Sequence, residues 1–249
     1  MRVTIIVPVL NEAPILADFL RHLRERAPGC EIIVADGKSE DASLGIARDL
    51  ADQCLQSARN RAVQMNAAAR MAGGNVLWFV HADSAVARGS VEAIERALTN
   101  EQIVGGCFRL QIDSSRWVYR VRDAVGNLLV DLFALPLGDR GLFCRGDVFF
   151  SVGGYPEIAL LEDAGFCRRL KQAGSVIQLH ETIKTSARRY EELGPVTTML
   201  FYGLIMVLYV LSVPQHMLEG MVRAYMTRRT PNAVTTGRSL VTPLPNRIR

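Results

Sequence analysis

A chain of 249 residues, 49% of them hydrophobic, suits one α/β domain with a modest appendage and supports a sizeable core. Its formal charge of +4 fits anionic small molecules or an anionic membrane surface, and the lack of a dense basic block with interleaved aromatics argues against a nucleic-acid partner. The five scattered cysteines, Cys30, Cys54, Cys107, Cys144 and Cys167, are odd in number and show no CxxC spacing, which argues against a disulfide framework and fits a reduced, cytoplasmic setting.

Arg2 to Val7 is a β-branched run without polar alternation, the pattern of a strand covered on both faces. It stops at Pro8; the apolar run from Val3 to Leu10 is too short and too broken for a signal peptide. Asn11-Glu12 follows as a loop. Pro14 suits a first helical turn, and Ile15, Leu16, Phe19, Leu20 and Leu23 give one apolar face at helical spacing. Glu31 to Ala35 is a second buried strand ending in Asp36-Gly37. Ser39 is placed to cap a helix from about Glu40 to Asp52. A third helix near Ala58 to Met71 carries Arg59, Arg61, Gln64 and Asn66, and Gly73-Gly74 ends it. This succession predicts a parallel sheet with right-handed crossovers.

The stretch Asn75-Val76-Leu77-Trp78-Phe79-Val80-His81-Ala82-Asp83 reads as a buried central strand that stops at a histidine and a carboxylate. An open α/β sheet places ligands at that edge. Asp83 can ligate a hard divalent cation, and His81 lies on the same side of an extended chain. A cation there could hold a diphosphate; the plain alternative is a strand followed by a solvated turn. Three strands thus deliver Asn11-Glu12, Asp36 and Asp83 to one rim.

Arg88 to Leu98 reads as a helix, and Ile103 to Ile112 as an alternating strand of a mixed sheet. Trp117, Val121, Val125, Leu128, Leu129 and Leu132 form a helical stripe ending by Pro136. Gly138-Asp139-Arg140-Gly141 is a turn before the short strand Leu142-Phe143-Cys144. Leu160-Leu161-Glu162-Asp163 opens a helix with Arg168, Arg169 and Lys171 in its later turns, an order that suits the helix dipole. Thr197 to Val213 is uncharged and sits near the lower limit of about 17 residues for a membrane span, with Arg223, Arg228, Arg229 and Arg238 after it. It reads as a helix at the membrane interface, a helix packed on a partner or on the catalytic domain, or a span. From Pro231 the composition is that of a mobile tail. The expected division is therefore a domain over residues 1–192, a helical appendage over 193–230 and a tail over 231–249.

These residues, over roughly Arg2 to Tyr190, resemble a family-2 glycosyltransferase. Pro8-Val9-Leu10-Asn11-Glu12 matches the family's opening Pro-x-x-Asn-Glu, and Asp36-Gly37-Lys38-Ser39-Glu40-Asp41 its Asp-Gly-x-Ser-x-Asp turn. Arg61-Ala62-Val63-Gln64-Met65-Asn66 resembles the segment near the diphosphate. His81-Ala82-Asp83 occupies the metal-binding Asp-x-Asp position, with His81 in place of the first Asp. Glu162-Asp163 resembles the pair that supplies the catalytic base, and Thr185 to Tyr190 sits where relatives carry a basic-aromatic motif. The His-Ala-Asp variant is similar to a short bacterial subgroup, some members of which are associated with arsenosugar biosynthesis.

The resemblance implies a mostly parallel, mixed-edge sheet flanked by helices, the Rossmann-like GT-A fold, with a C-terminal apolar helix. It implies an inverting transfer of sugar from a UDP- or GDP-sugar to an acceptor hydroxyl, and the apolar run with its arginines adds the expectation of work near the cytoplasmic membrane face. Asp163 would be the base and Asp83 with His81 the ligands of Mn²⁺ or Mg²⁺. Pro8, Asn11, Glu12, Asp36, Arg61, Gln64, Arg188 and Arg189 would surround the donor, and Asp139 and Glu162 the acceptor. Peripheral membrane contact and homo-oligomers are compatible with the apolar helix. Ordinary structural readings stand beside these: Asn11-Glu12 as a helix cap, Asp36-Gly37 and Asp139 as turns, Glu162-Asp163 as helix-start charges, and Arg188-Arg189 as a solvated pair. A protein that binds a nucleotide sugar or a membrane partner without turnover, or a sugar nucleotidyltransferase, is the alternative.

Overall fold

The computed structural model describes residues 1–133, 136, 140–158 and 160–229. Strands β1 (Val3–Val9), β2 (Glu31–Asp36), β3 (Gln53–Gln56) and β4 (Val76–Phe79) are parallel. With β5 (Ser84–Val86), β6 (Ile103–Asp113), β7 (Phe143–Arg145) and β8 (Ser175–Ser186) they form one sheet of order β3-β2-β1-β4-β7-β6-β8-β5. β7 runs antiparallel to both β4 and β6, so β6 and β8 point the same way as β1. β5 returns antiparallel along β8. The reversal expected at a mixed edge thus also occurs inside the sheet. A Cβ at Gly105 would lie 2.5 Å from the Phe143 carbonyl oxygen, so this crossing of β6 and β7 needs a bare backbone.

Both faces of the sheet are covered, as the unbroken apolar strands require. On one face Val3, Ile5 and Val7 of β1 pack with Leu16, Phe19, Leu20 and Leu23 of α1 (Ala13–Arg26), Ala47 of α2 (Ser43–Leu50) and Ile94 of α4 (Ser90–Ala97). On the other, Ile6 and Phe79 pack with Met65 of α3 (Arg61–Ala69), Phe149 of α6 (Gly146–Ser151) and Phe166 of α7 (Glu162–Ala173). Trp78 is fully buried at the centre, its ring 5.3 Å from that of Phe108. The five cysteines are free. Burial raises the thiols of Cys30, to about 11, and Cys107, to about 12, as befits small core hydrophobes.

Ser39 does not cap α2. Its hydroxyl accepts the Asn11 N–H at 2.9 Å, and α2 starts four residues later, after Ala42. Nor does Asn11 or Glu12 cap α1 with its side chain; Pro14 in its first turn leaves one fewer N–H to satisfy.

Helix α5 (Trp117–Phe133) is turned inside out. Its buried residues include Asp123 and Asn127. Beyond the short β7, the edge of β6 would be left unpaired, and these side chains take the place of a strand. Asn127 accepts the Leu110 N–H at 3.0 Å and donates to the Leu110 carbonyl at 3.1 Å; Asp123 accepts the Ile112 N–H at 2.8 Å. The predicted apolar stripe consequently faces outward. After β8 come α8 (Arg188–Leu193), α9 (Pro195–Val210) and α10 (Gln215–Arg229). Leu193, Ile205, Leu218 and Val222 form a small core there, with Leu160 and Leu161 packed against it. No helix among the described residues is long and apolar enough to cross a membrane. The predicted tail from Pro231 lies outside the described residues.

Asn127→Ala strands a buried N–H and C=O of β6 and is expected to cost about 2–3 kcal/mol in chemical denaturation. Val125→Ala, on the outward face of the same helix, is expected to change stability by less than about 0.5 kcal/mol. The reverse order would contradict the inverted helix.

Candidate active site

β1, β2, β4, β6 and β8 share a direction, so their carboxyl ends open on one edge. α3 leads back to β4 and α7 leads back to β8. Their first turns, with the positive ends of their dipoles, therefore face that same edge.

The loops after β1 and β2 are sewn together there. Glu40 donates its N–H to Asn11 Oδ1 at 2.8 Å, Glu12 N–H bonds Ser43 Oγ at 2.9 Å, and Ala13 N–H bonds Asp41 Oδ2 at 3.1 Å. Against the burial that works to raise it, hydrogen bonds from Ser43 and Ala13 hold the Asp41 carboxyl below its ordinary value. Asn11, Lys38 and Leu161 adopt positive φ without being glycine, at 54°, 62° and 60°. All three stand in loops at this edge, where strained backbone tends to accompany function.

Asp36 ends β2 and is 0% exposed. Its Oδ2 accepts from the Ser39 N–H and the Gln56 amide, both at 3.0 Å. Its Oδ1 is buried with no hydrogen-bond partner among the described residues. Such an oxygen keeps unused capacity to accept a hydrogen bond. Pro8 lies beside Ala35 in the β1–β2 register, one step below Asp36. Gln64 is placed under this site: its Nε2 donates to the carbonyls of Val9 at 2.8 Å and Ala35 at 2.7 Å. Its amide nitrogen thus braces the two strand ends rather than pointing to a ligand.

Arg61, first residue of α3, lies 2.6 Å from Glu162, first residue of α7. Glu162 is 2% exposed and neither of its oxygens has a hydrogen-bond donor among the described residues, so this ion pair is its visible compensation. The pair ties the Asp36 side of the rim to the α7 side. Asp163 is 5% exposed beside it. Burial first, and then the negative charge of Asp163, hold the Tyr155 hydroxyl and the Cys167 thiol well above their ordinary values. Both groups near Asp163 therefore stay neutral.

His81 and Asp83 follow β4, both half-buried. Asp83 lines a cavity of about 300 Å³ with Phe19, His22, Ala85 and Ser186. β5 pairs Ser84 with Thr185, which brings the start of α8 beside Asp83. Arg188 and Arg189 open α8, but their side chains lie outside the described residues, as does Asp139. The next residue, Arg140, is a buried brace, its guanidinium 2.6 Å from Asn127 Oδ1 and 3.1 Å from Gln178 Oε1. Among the described residues no three His, Cys, Asp or Glu side chains gather to hold a metal ion. A cation of the Mg²⁺ kind takes only one or two protein carboxylates and completes its shell with substrate phosphates and water, so a cluster of three is not required of a carboxylate such as Asp83.

The family model for glycosyl transferase family 2 matches residues 4–151. The chain belongs to that family. Solved structures agree on the fold of this glycosyltransferase, which is GT-A-like. A mannosyltransferase from Pyrobaculum calidifontis, in complex with GDP-Man and Mn²⁺, aligns with TM-score 0.67 and 19% identity over 96% of this chain and 73% of that one. S. aureus TarS 1-349 with UDP-GlcNAc aligns with TM-score 0.60 and 15% identity over 96% and 76%. Glucosyl-3-phosphoglycerate synthase from Mycobacterium tuberculosis, in complex with phosphoglyceric acid, aligns with TM-score 0.61 and 16% identity over 86% and 81%. No curated protein matches the sequence at a significant level.

Sequence reasoning in this glycosyltransferase missed Gln56 as the partner of Asp36 and Ser39, Asp41 and Ser43 as the stitches of the rim. The run Asp36 to Ser43 held the signal, in its density of short polar side chains. Arg61→Met leaves the Glu162 carboxylate buried without its cation and is expected to destabilise the fold by about 3 kcal/mol. Adding Glu162→Gln should recover most of that loss in equilibrium unfolding; equal stability of the single and double variants would disprove the coupling.

Proposed function

We propose that this enzyme is an inverting glycosyltransferase that moves a sugar from a UDP- or GDP-sugar to an acceptor hydroxyl. The observation that supports the reading is the ion pair between Arg61 and Glu162, which joins the first residue of α3 to the first residue of α7, next to the buried Asp163, at the sheet edge where β2 ends in the buried Asp36. The nucleotide sugars bound to the P. calidifontis and S. aureus structures support a donor of this class.

In this reading Asp36 Oδ1 accepts an N–H of the nucleobase, and Asn11 and Glu12 border the ribose. Arg61 lies near the diphosphate and offsets the charge that grows on it as the sugar leaves. Arg188 and Arg189 add positive charge from the β8 side. Asp163 takes the proton of the acceptor hydroxyl. The freed oxygen forms a bond to the anomeric carbon from the face opposite the diphosphate, and the bond from that carbon to the diphosphate oxygen breaks with its electron pair. A single displacement inverts the anomeric centre. Glu162 orients the sugar or acceptor, and Asp139 is assigned to the acceptor by the resemblance alone. Asp83 and His81 would hold a Mn²⁺ or Mg²⁺ ion, which when bound supplies Lewis-acid stabilisation of the diphosphate. The uncharged α9 and the arginines after it favour work at a membrane face, with peripheral contact rather than a span.

Asp163→Asn should lower transfer by about 10²–10⁴-fold, the typical contribution of a general base. Its thermal stabilisation by UDP or GDP should be unchanged; full transfer activity in this variant would remove the proposed base. In a second experiment, Mn²⁺ should enlarge the thermal stabilisation given by UDP or GDP, since a ligand selective for the folded state raises the melting point. Asp83→Ala should abolish that increment while keeping the metal-free part; an unaltered increment would move the cation elsewhere.

A further inference from the structure

The outward face of α5 is left uncovered by the described residues. Trp117 is 73% exposed and Leu132 66%, and Val121, Val125 and Leu128 between them are exposed at helical spacing. The polar residues that would normally face water, Asp123 and Asn127, are spent on the backbone of β6. α9 lies against α5 and repeats the pattern. Leu200, Leu204 and Val207, with Leu211 at its end, are exposed on it at spacings of three and four, in a segment with no charged residue. Contiguous exposed apolar surface of this kind marks an interaction site.

The charges at its border select the occupant. The charged residues exposed along α5 are Arg120 and Asp131, and Asp131 is paired with Arg109 at 2.8 Å. Arg116 is exposed next to Trp117, and Arg223 is exposed on α10. The exposed face of α5 has no carboxylate besides the paired Asp131, and α9 has none in its sequence. A second copy of this face would therefore bring cation against cation. An anionic bilayer meets these arginines with lipid phosphates, and a tryptophan beside arginines suits the headgroup boundary.

We propose that the outward faces of α5 and α9 together form a surface that docks on an anionic bilayer. This rests on the membrane placement proposed above and deepens it, by assigning the contact to a helix inside the catalytic domain as well as to the C-terminal pair. Since Leu160 and Leu161 pack on the α9–α10 core, the docked surface adjoins the segment that leads into Glu162 and Asp163.

The test is flotation of the full chain with phosphatidylcholine vesicles, with and without phosphatidylglycerol. The wild type should float, more strongly with phosphatidylglycerol. The double variant L128E/L132E, at exposed positions and checked for an unchanged melting point, should lose binding by on the order of tenfold or more. R116E/R120E should lose the phosphatidylglycerol-dependent part. Retained flotation of L128E/L132E, with loss only in L200E/L204E, would overturn the role of α5 while leaving the membrane placement standing. A wild type that floats with neither vesicle would overturn both, with the Asp163→Asn test of the chemistry unaffected. So would a dimer in sedimentation velocity that L128E/L132E dissolves, since a second copy would then cover the face.

Discussion

Strand direction is the constraint on which the site depends. A parallel strand can put a side chain beyond only one end of the sheet, and crossover helices must then start at that end. In this chain the rule gathers residues from Asn11 to Arg189 without any local sequence signal connecting them. The antiparallel β7 does not disturb it, because a single reversal between β4 and β6 restores the original direction on its far side. Asp83 at the end of β4 and Thr185 near the end of β8 become neighbours through β5 for the same reason.

Gathering carboxylates in this way is costly, and the compensations differ in kind. Asp36 has two donors on one oxygen and, among the described residues, none on the other. Glu162 has a guanidinium, partly exposed, and the first turn of a helix.

The sequence shows the parallel half of the fold because its strands are buried on both faces and their apolar runs are unbroken, as from Val3 to Val7 and from Glu31 to Ala35. It hides β8, whose twelve residues carry Gln178, His180, Glu181 and Lys184. Val176, Ile177, Thr182, Ile183 and Thr185 favour a strand, but the polar residues interrupt the apolar run, and pairing with β6 and β5 holds it in place. The α5 stripe is visible by its spacing, yet periodicity says that a face is apolar, not which way it points. Direction comes from Asp123 and Asn127, whose bonds to β6 depend on the shortness of β7. Among the candidate residues, Asp36, Arg61, Glu162 and Asp163 are legible by motif resemblance; Asp36 ends β2, Arg61 and Glu162 form an ion pair, and Asp163 follows Glu162 in α7. Gln64 is legible by the same resemblance, but two carbonyls of the underlying strands account for its amide nitrogen.

The last two helices bear on the chemistry through Leu161. This residue holds a left-handed conformation, at a cost of about 1–2 kcal/mol for a side chain of this size. It does so immediately before two buried carboxylates, whose place in the first turn of α7 suits the helix dipole while the backbone of Leu161 does not suit its side chain. What offsets it is packing: Leu160 and Leu161 are covered by the core of α9 and α10, and the Arg168 guanidinium sits 5.5 Å over the Tyr209 ring. A pair of helices that only anchored the protein would have no need to touch this turn. The α9–α10 core thus packs directly on the turn that leads into Glu162 and Asp163.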